Sequence, residues 1–367
     1  MKVLFITNFP SPYRVNFFNE LGKECKLTVV FEEGIEKQTH RNRKWFNNNF
    51  ENFEAVFLKP TKLPMNKTIC FSVKEYLNNN YDIIIVANYS KLTGIYAINY
   101  LKKHKIKFAI EADGAFPKSG KGLKEKFKKK LISSANWWFS TSKVTDNYFQ
   151  IYGAKNEKIF RYPFTSLSKI DTLDDFPKAE MKQKLKNMIG ISEEKIILSI
   201  GNFIHRKGFD ILLKASENIP KNWGIYIIGG EPPTEYLNLR EKLNLNNLHF
   251  IPFKTKDELK DYYESSDIFI LPTREDIWGL VINEAMSYGL PVITTNKCIA
   301  GIELVNDGEN GYIVPVEDIN ELEKRIFTLI NDEKLRHRMA ISNIEKIREY
   351  TIENMAKVHM DLFNKMK

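Results

Sequence analysis

Two carboxylates and an irregular loop stand out in residues 271–291, LPTREDIWGLVINEAMSYGLP. The apolar run 268–271 has strand character, residues 272–278 break that pattern, and a helical period begins at Gly279. Asp276 lies in the predicted loop, and Glu284 follows inside the helix. Because Gly279 has no side chain, a ligand can approach the helix N-terminus closely, where unpaired N–H groups favour an anion. The stretch predicts an anion site beside two acids.

A pair of cations precedes a second helix N-terminus, in residues 200–208, IGNFIHRKG. Gly201 ends a predicted strand, and Arg206 and Lys207 stand directly before the next helix. This arrangement suits a diphosphate, because the two charges and the helix dipole act on the same anion. A solvated surface pair explains the motif equally well, so both interpretations stay open.

Glycines mark two further segments. Gly229 belongs to a glycine pair in IIGGEPP, where a flat ligand can lie on the backbone, although a tight turn explains the pair equally well. Gly301 and Glu303 are predicted to lie in a loop that returns to the strand ends near Asp276. No GxGxxG follows a predicted strand, which argues against a dinucleotide-dependent dehydrogenase.

Short apolar strands alternate with helical segments along most of the chain, which predicts parallel sheets covered by helices on both faces. The rhythm pauses at residues 163–177, a predicted linker, and residues 321–367 are predicted to be helical throughout. In such sheets ligands bind at the carboxyl ends of the strands, where all the motifs above lie. Strands are predicted at residues 1–7, 27–31, 55–58, 83–87, 108–112 and 137–140, and then at 196–201, 224–228, 248–252, 268–271, 291–295 and 311–314.

Composition argues against several classes of protein. The 43% hydrophobic and 13% aromatic content indicates packed cores rather than disorder. The three cysteines show no pairing pattern, so neither a disulfide framework nor a zinc site is expected, and the chain is expected to work under reducing conditions. The apolar start, residues 1–9, is too short for a signal peptide or a membrane span.

The net charge of +9 is unevenly distributed, with +14 in residues 1–163 and −5 in the remainder. Such a basic half indicates an anionic partner, whether a membrane surface, a phosphate-bearing ligand or a nucleic acid. The lysines are not interleaved with aromatic residues, and no nucleic-acid reading motif is present. Nucleic acid is therefore not expected as a partner.

The lysines are densest in residues 118–131, KSGKGLKEKFKKKL, where Leu123, Phe127 and Leu131 recur every four residues. A narrow apolar stripe within a lysine-rich helix predicts contact with an anionic membrane surface. The alternative is that the stripe packs into the domain while the lysines only aid solubility. The predicted membrane contacts are Lys121, Lys124, Phe127 and Lys128.

Taken in order, IGNFIHRKGFD, LPTREDIWGLVINEAMSYGLPVI and AGIELVNDGENGYIVP resemble the donor-binding half of retaining glycosyltransferases of family 4, which have the GT-B fold. The resemblance covers most of residues 196–330, whereas the first half is similar to the family's acceptor-binding half only in architecture. It implies two doubly wound, Rossmann-like domains, residues 1–165 and 178–347, that face each other across a cleft. The C-terminal helix, about 348–367, is expected to pack back on the first domain.

The family's paired acids fall on Asp276 and Glu284. The resemblance implies that Glu284 holds the nucleotide ribose and that Asp276 holds hydroxyls of the donor sugar. Asp276 is one methylene shorter than the family's Glu, which leaves neighbouring Glu275 as an alternative contact to the sugar. Lys207 is implied to bind the diphosphate together with backbone N–H groups of Trp278, Gly279, Leu280 and Val281.

The chain departs from the family at two positions. The family's Arg after the first-loop glycine is Asn202 here, so Arg206 is expected to supply that cation. Many members place a His after the strand corresponding to 108–112, where this chain has Asp113. Three interpretations of Asp113 stay open: it contacts the donor sugar, it contacts the acceptor, or it contacts neither and only forms a turn with Gly114. The backbone of Phe253 and Lys254 is implied to meet the base.

The acceptor side is assigned to the first domain. Residues 10–14, PSPYR, are predicted to form a rigid loop after the first strand, at the strand end that faces the ligand. Pro12, Tyr13 and Arg14 are the predicted acceptor-binding residues. Arg14 either holds an acceptor phosphate or is an ordinary solvated charge at a helix start.

These implications predict a retaining glycosyltransferase of cell-surface polysaccharide synthesis, peripheral at the cytoplasmic face of the plasma membrane. It would move a hexose-type sugar from a nucleotide sugar, with UDP favoured and GDP next, to a glycan or a polyprenyl-diphosphate-linked glycan. The leaving diphosphate would be stabilised by Lys207, Arg206 and helix N–H groups, with no cofactor and no obligatory metal. The alternatives are a sugar-nucleotide epimerase of the same fold, which needs no acceptor, and a basic nucleic-acid-binding protein.

Overall fold

The computed structural model describes residues 1–34, 49–65, 67–77, 81–117, 120, 122–173 and 179–366. The chain divides into two compact units, one formed by Met1–Ser166 with Thr351–Lys367 and the other by Leu167–Tyr350. Each unit is built on a parallel β-sheet flanked by helices, so the predicted doubly wound α/β class is confirmed. Residues 174–177 of the predicted linker lie outside the described residues.

The first unit contains a seven-stranded parallel sheet in the order β3-β2-β1-β6-β7-β8-β9, and β4 pairs with β5 in a small antiparallel hairpin. The central strands are mostly buried and rich in Val, Ile, Leu and Phe, as expected for strands covered on both faces. The described strands are β1 (Lys2–Thr7), β2 (Lys26–Phe31), β3 (Glu54–Phe57), β4 (Thr61–Leu63), β5 (Lys67–Ile69), β6 (Ile83–Val86), β7 (Ala109–Glu111), β8 (Trp137–Ser140) and β9 (Ile159–Arg161).

Helices pack on both faces of this sheet, because successive side chains of a strand point to opposite sides. Phe5 of β1 contacts the rings of Phe17 and Phe18 on one face, whereas Leu4 lies in the core cluster of Ile98 on the other face. The helices here are α1 (Pro12–Glu24), α2 (Val73–Leu77), α3 (Leu92–Lys103), α4 (Leu123–Ile132) and α5 (Lys143–Ile151).

The second unit contains a six-stranded parallel sheet in the order β12-β11-β10-β13-β14-β15. Its strands are β10 (Lys195–Ile200), β11 (Trp223–Ile228), β12 (Leu248–Ile251), β13 (Ile268–Leu271), β14 (Val292–Thr295) and β15 (Gly311–Val314). The order changes direction at β10, since the next strand in sequence, β11, lies on one side of it and β13 lies on the other. The loops after β10 and β13 therefore meet at the place where doubly wound sheets bind ligands.

The helices of the second unit are α6 (Ala179–Met188), α7 (Phe209–Ala215), α8 (Thr234–Lys242), α9 (Lys256–Ser265), α10 (Leu280–Ser287), α11 (Ile299–Leu304), α12 (Ile319–Asn331) and α13 (Glu333–Ile347). On one face, Ile197, Ile225 and Ile270 of the sheet share a core with Phe209 and Ile326. The last helix, α14 (Ile352–Met366), belongs to the first unit and packs on α1.

Two local predictions are corrected, and three short strands were missed. Pro12, Tyr13 and Arg14 form the first turn of α1 rather than a loop, because the fixed φ of proline and its missing N–H suit the first helical position. Gly301 and Glu303 lie in the short helix α11 rather than in a loop. Hairpin β4–β5 and strand β9 were not predicted, since each strand has only three residues.

Candidate functional site

The predicted cation pair stands on a tight turn between β10 and α7. The turn is a single 3-10 turn, His205–Lys207, that follows the end of β10. The side chain of Lys207 is mostly buried, whereas that of Arg206 is 43% exposed. The prediction of a strand, a loop and a helix in this order is confirmed.

Asp276 brings the two predicted motifs together. Its Oδ2 lies 2.8 Å from Lys207 Nζ and 3.3 Å from Arg206 Nη1. The carboxylate is mostly buried, and the backbone N–H of Asp276 donates to the carbonyl oxygen of Lys297 at 2.8 Å. The cation pair is therefore not an ordinary solvated pair, because it shares one buried carboxylate at the carboxyl ends of β10 and β13.

Arg274 joins the same two loops, and sequence reasoning missed it. Its Nη1 and Nη2 donate to Oδ1 and Oδ2 of Asp210, both at 2.8 Å, and Nη1 also donates to the carbonyl oxygen of His205 at 2.8 Å. Burial alone would raise the pKa of Asp210, but the hydrogen bond and charge of Arg274 outweigh it and the pKa is lowered. The same hydrogen bond is the largest cause that raises the pKa of Arg274. The sequence signal that could have identified Arg274 was its position directly before the loop acids Glu275 and Asp276.

Helix α10 begins at the predicted position and is open at its N-terminus. Gly279 has a φ of 102°, and a side chain there would lie 2.8 Å from Cys298 Sγ, so only glycine fits this start. Among the described residues, no side chain caps the helix. Leu280 and Val281 follow in the first turn. The N–H groups at this end are thus placed to meet an anion.

The indole of Trp278 is structural. It is 2% exposed, and its Nε1 donates to Asn283 Oδ1 at 2.8 Å inside the unit. The backbone of Trp278 accepts from Ala300 N at 2.9 Å, which holds the loop before α10 against α11. The backbone N–H of Trp278 donates to Asp276 Oδ1 at 3.5 Å, and its contact with the donor stays a prediction.

Glu284 lies in the second turn of α10 and is half-buried. Tyr263 of α9, which sequence reasoning did not single out, donates its hydroxyl to Glu284 Oε2 at 2.9 Å. Burial, and then the carboxylate, raises the pKa of Tyr263 well above its ordinary value, so the tyrosine stays a hydrogen-bond donor. Tyr263 therefore orients Glu284.

The remaining predicted donor contacts occupy neighbouring strand ends. A side chain on Gly229 would lie 1.7 Å from the carbonyl oxygen of Gly201, so close packing of two loops already requires this glycine. The side chain of Asn202 is exposed. The backbone oxygen of Glu275 accepts from Arg206 Nη1 at 2.6 Å. Phe253 and Lys254 follow β12, and Lys254 pairs with Glu258 at 3.3 Å.

In the first unit, Arg14 and Asp113 belong to a buried ion cluster, which we define as Arg14, Glu111, Asp113 and His359. Arg14 is 4% exposed and pairs with both Glu111 and Asp113. The interpretation of Arg14 as a solvated charge is therefore wrong. Its guanidinium is already held by two carboxylates of this unit, and its predicted contact with an acceptor phosphate stays a prediction.

Glu111 and His359 complete the buried ion cluster, and both were missed. His359 of α14 has no exposure; its Nδ1 donates to the Met355 carbonyl oxygen at 2.8 Å, and its Nε2 lies 3.2 Å from Glu111 Oε2. Burial alone would raise the pKa of Glu111, but Arg14 and His359 outweigh it and the pKa is lowered. Burial raises the pKa of Asp113 despite the opposing effect of Arg14. Asp113 is the cluster member whose side chain reaches solvent.

The lysine-rich helix predicted for membrane contact is α4, and its side chains divide into two groups. Leu123 is 85% exposed, Phe127 is 50% exposed, and Lys124 is exposed. The prediction that Lys128 contacts the membrane is corrected. Its amine lies over the rings of Tyr148, at 4.6 Å, and Tyr152, at 4.1 Å, so the side chain faces the unit. Lys121 lies outside the described residues.

Within the described ranges, no group of three or more His, Cys, Asp or Glu side chains is arranged to hold a metal ion. Across the same part of the chain, every helix is too short or too polar to cross a membrane.

Residues 181–346 match the family model of Glycosyl transferases group 1, which identifies this part of the second unit as a domain of that group. An uncharacterized glycosyltransferase of Haemophilus influenzae is 34% identical over 213 residues, which cover 52% of this chain and 60% of that protein. An uncharacterized glycosyltransferase of Methanocaldococcus jannaschii is 28% identical over 302 residues, 76% of this chain and 84% of that protein. The chain thus spans about three fifths of the first relative.

The lipopolysaccharide glucosyltransferase WaaG of Escherichia coli is 27% identical over 165 residues, which cover 42% of this chain and 43% of WaaG. Among solved structures, Anabaena HepE in complex with UDP superposes with a TM-score of 0.78 at 16% identity, over the full length of both chains. At this level of identity the likeness shows the fold alone. The predicted GT-B fold is confirmed.

Proposed function

We propose that this protein is a retaining glycosyltransferase that moves a sugar from a nucleotide sugar to a hydroxyl of a glycan. The observation that carries the proposal is the meeting of Lys207, Arg206 and Asp276 beside the open N-terminus of α10. The match of residues 181–346 to Glycosyl transferases group 1 supports it.

The donor diphosphate is assigned to the two cations and the start of α10. Two cations against the single Asp276 carboxylate leave a net positive charge, and the helix dipole adds to it. Part of the Arg206 side chain is open to solvent, so a phosphate can bind there without breaking the buried pair of Lys207 and Asp276. UDP is favoured over GDP because HepE, of the same fold, binds UDP.

The sugar and the ribose are assigned to the two acids. Glu284, oriented by Tyr263, is placed to accept from ribose hydroxyls. Asp276 is assigned to hydroxyls of the sugar, with Glu275 as the neighbouring alternative. Lys207 and Arg206 contact Oδ2 of Asp276, and the backbone N–H of Trp278 donates to Oδ1 at 3.5 Å, so a sugar hydroxyl would share an oxygen of this carboxylate with one of these groups.

Catalysis is assigned to electrostatic stabilisation of the leaving nucleoside diphosphate. Negative charge grows on the phosphate as the bond to the sugar breaks, and Lys207, Arg206 and the N–H groups of α10 would stabilise it. The acceptor hydroxyl attacks on the face from which the diphosphate departs, and the departing phosphate takes its proton, so the anomeric configuration is kept. Asp113 is proposed to contact either the donor sugar or the acceptor.

The acceptor is proposed to be a glycan or a lipid-linked glycan at the cytoplasmic face of an anionic membrane. WaaG, named as a lipopolysaccharide glucosyltransferase, supports this substrate class. The exposed Leu123 and Phe127 on the lysine-rich α4 provide an apolar contact surrounded by positive charge. Lys128 is left out of this surface because it packs on Tyr148 and Tyr152.

A panel of UDP, GDP and dTDP sugars tests the donor assignment. The matching nucleotide sugar should raise the apparent melting temperature with its concentration, because it binds only the folded state. Lys207→Ala should abolish this shift, whereas the matched control Lys214→Ala, on the surface of α7, should preserve it. If no nucleotide sugar in the panel raised the melting temperature, the proposal would be contradicted.

Product analysis tests the reaction. With the matching donor and a glycan acceptor, NMR of the product should show the donor's anomeric configuration. Inversion of that configuration would contradict the retaining mechanism, and conversion of the donor to an epimer without acceptor would favour the epimerase.

Sedimentation with anionic vesicles tests the membrane contact. Phe127→Ser should reduce the fraction of protein that sediments with the vesicles. Binding to DNA as tight as binding to the vesicles would argue for the nucleic-acid alternative.

A further inference from the structure

Arg274 fixes the position of the turn that carries both cations. Its backbone N–H donates to the carbonyl oxygen of Arg206 at 2.7 Å, and its Nη1 donates to the carbonyl oxygen of His205 at 2.8 Å. The preceding residue, Thr273, donates its hydroxyl to the same Arg206 carbonyl at 2.8 Å. The loop after β13 therefore holds the backbone of the turn after β10 at two successive carbonyl groups.

The guanidinium is itself held by two carboxylates. Both terminal nitrogens donate to the Asp210 carboxylate at 2.8 Å, and Nε donates to Glu317. A bidentate pair of this kind fixes the plane of the guanidinium as well as its distance. The side chain is 15% exposed, so its donors are used within the unit rather than presented to a ligand.

Lys207 depends on this arrangement for its pairing with Asp276. The turn contains Lys207, and Asp276 lies two residues beyond Arg274, so movement of either loop changes the 2.8 Å distance between Nζ and Oδ2. Lys207 and Asp276 are 69 positions apart in sequence, so local chain geometry cannot set that distance. The bonds of Arg274 to the His205 and Arg206 carbonyl groups are tertiary contacts that can set this distance.

We propose that Arg274 is a positioning residue that holds Lys207 and Arg206 in the geometry that binds the donor diphosphate. The proposal rests on the proposed function, because it takes the ligand of these cations to be a nucleoside diphosphate. Arg274 acts through the turn and does not touch the donor. Its planar fork, and not only its charge, is what the role requires.

The test compares Arg274→Lys with Arg336→Lys. Lysine keeps the charge at position 274 but cannot form the bidentate pair with Asp210. Arg336 is a matched control, because it is also a mostly buried arginine of the second unit and donates to two backbone carbonyls, those of Leu329 and Ile330. Asp210→Asn is the second variant, since it keeps Arg274 and weakens only its anchor.

The first readout is the chemical reactivity of the Lys207 amine, measured by acetylation and mass spectrometry without any nucleotide. Release of Lys207 from Asp276 should raise its labelling severalfold in Arg274→Lys and Asp210→Asn, but not in Arg336→Lys. Exposed Lys124 serves as the internal reference. Unchanged labelling of Lys207 in both site variants would overturn the positioning role, whatever the ligand is.

The second readout is the dissociation constant of UDP, measured by calorimetry in a double-mutant cycle with Lys207→Ala. Arg274→Lys should weaken UDP binding by roughly ten- to a hundredfold in the wild-type background, because small misplacements of binding groups are costly. In the Lys207→Ala background the same change should cost much less, since the residue through which it acts is absent. Equal losses in both backgrounds would overturn the proposal. Failure of the wild type to bind any nucleotide would instead overturn the proposed function.

Discussion

Replacing Arg14 with methionine removes the central cation of the buried ion cluster. The change leaves Glu111, which has no exposure, and Asp113 close together without the guanidinium that both contact. Methionine preserves much of the length and apolar contact of the arginine stem, so the main effect is electrostatic. Loss of one partner from a buried ion pair costs about 3–5 kcal/mol, because the other charge stays buried and uncompensated. We expect this loss in the stability of the first unit.

The matched control is Arg161→Met in the same unit. Arg161 Nε donates to Asp146 Oδ2 at 2.6 Å, but the arginine side chain is 42% exposed. Exposed pairs contribute about 0–1 kcal/mol, because water already solvates both charges. The two variants therefore remove the same kind of bond and differ in burial.

Hydrogen exchange at pH 7, followed by mass spectrometry, measures the two units separately. In Arg14→Met, exchange in peptides of β7 and α14 should accelerate by roughly a hundredfold to several thousandfold, since each 1.36 kcal/mol is a factor of ten. Peptides of β10 and β13 in the second unit serve as the internal reference. An effect no larger than that of Arg161→Met would refute the assignment of the cluster as a buried, mutually dependent set of charges.

Three further predictions concern single side chains. Tyr263→Phe should weaken UDP binding about tenfold by calorimetry while the fold is kept, because Glu284 loses the donor that orients it. Asp113→Asn should leave stability at pH 7 unchanged or higher in urea titrations, since burial raises the pKa of Asp113 and its charged form disfavours folding above the ordinary value of 3.8. Sugar transfer should fall in that variant, and a large loss of stability would contradict its assignment to function. The pKa of Glu111 is lowered, so its contribution to stability is complete above the ordinary value of 4.5 and is lost as the pH falls further. In urea titrations, Glu111→Gln should therefore show a weaker dependence of stability on pH below 4.5 than the wild type.

Much of the candidate site was predictable because it lies on local patterns. The turn after β10, the loop after β13 and the start of α10 follow from apolar runs, breaks in them and Gly279. The helical start at Pro12 was also within reach, since proline favours the first helical position. The short helix α11 was harder, because six residues around Gly301 carry little periodicity.

Arg274 and Tyr263 show what such patterns omit. Neither contacts the proposed ligand, and each matters through a bond to a residue distant in sequence, Asp210 or Glu284. The sequence does not distinguish a solvent-exposed arginine from one whose guanidinium nitrogens are all hydrogen-bonded. Residues that orient a site are therefore found from contacts rather than from motifs.

By itself, the sequence determined the two parallel sheets and the placement of the motifs at their strand ends, because both depend on the local alternation of apolar strands and helices. Tertiary structure decided which partner each charged or hydrogen-bonding side chain has. Lys207 pairs with Asp276 across 69 positions, Arg14 with Asp113 across 99, and His359 with Glu111 across 248. The physical reason is that ionic interactions depend on distance in space and on burial, and neither is a property of the neighbouring residues in the chain.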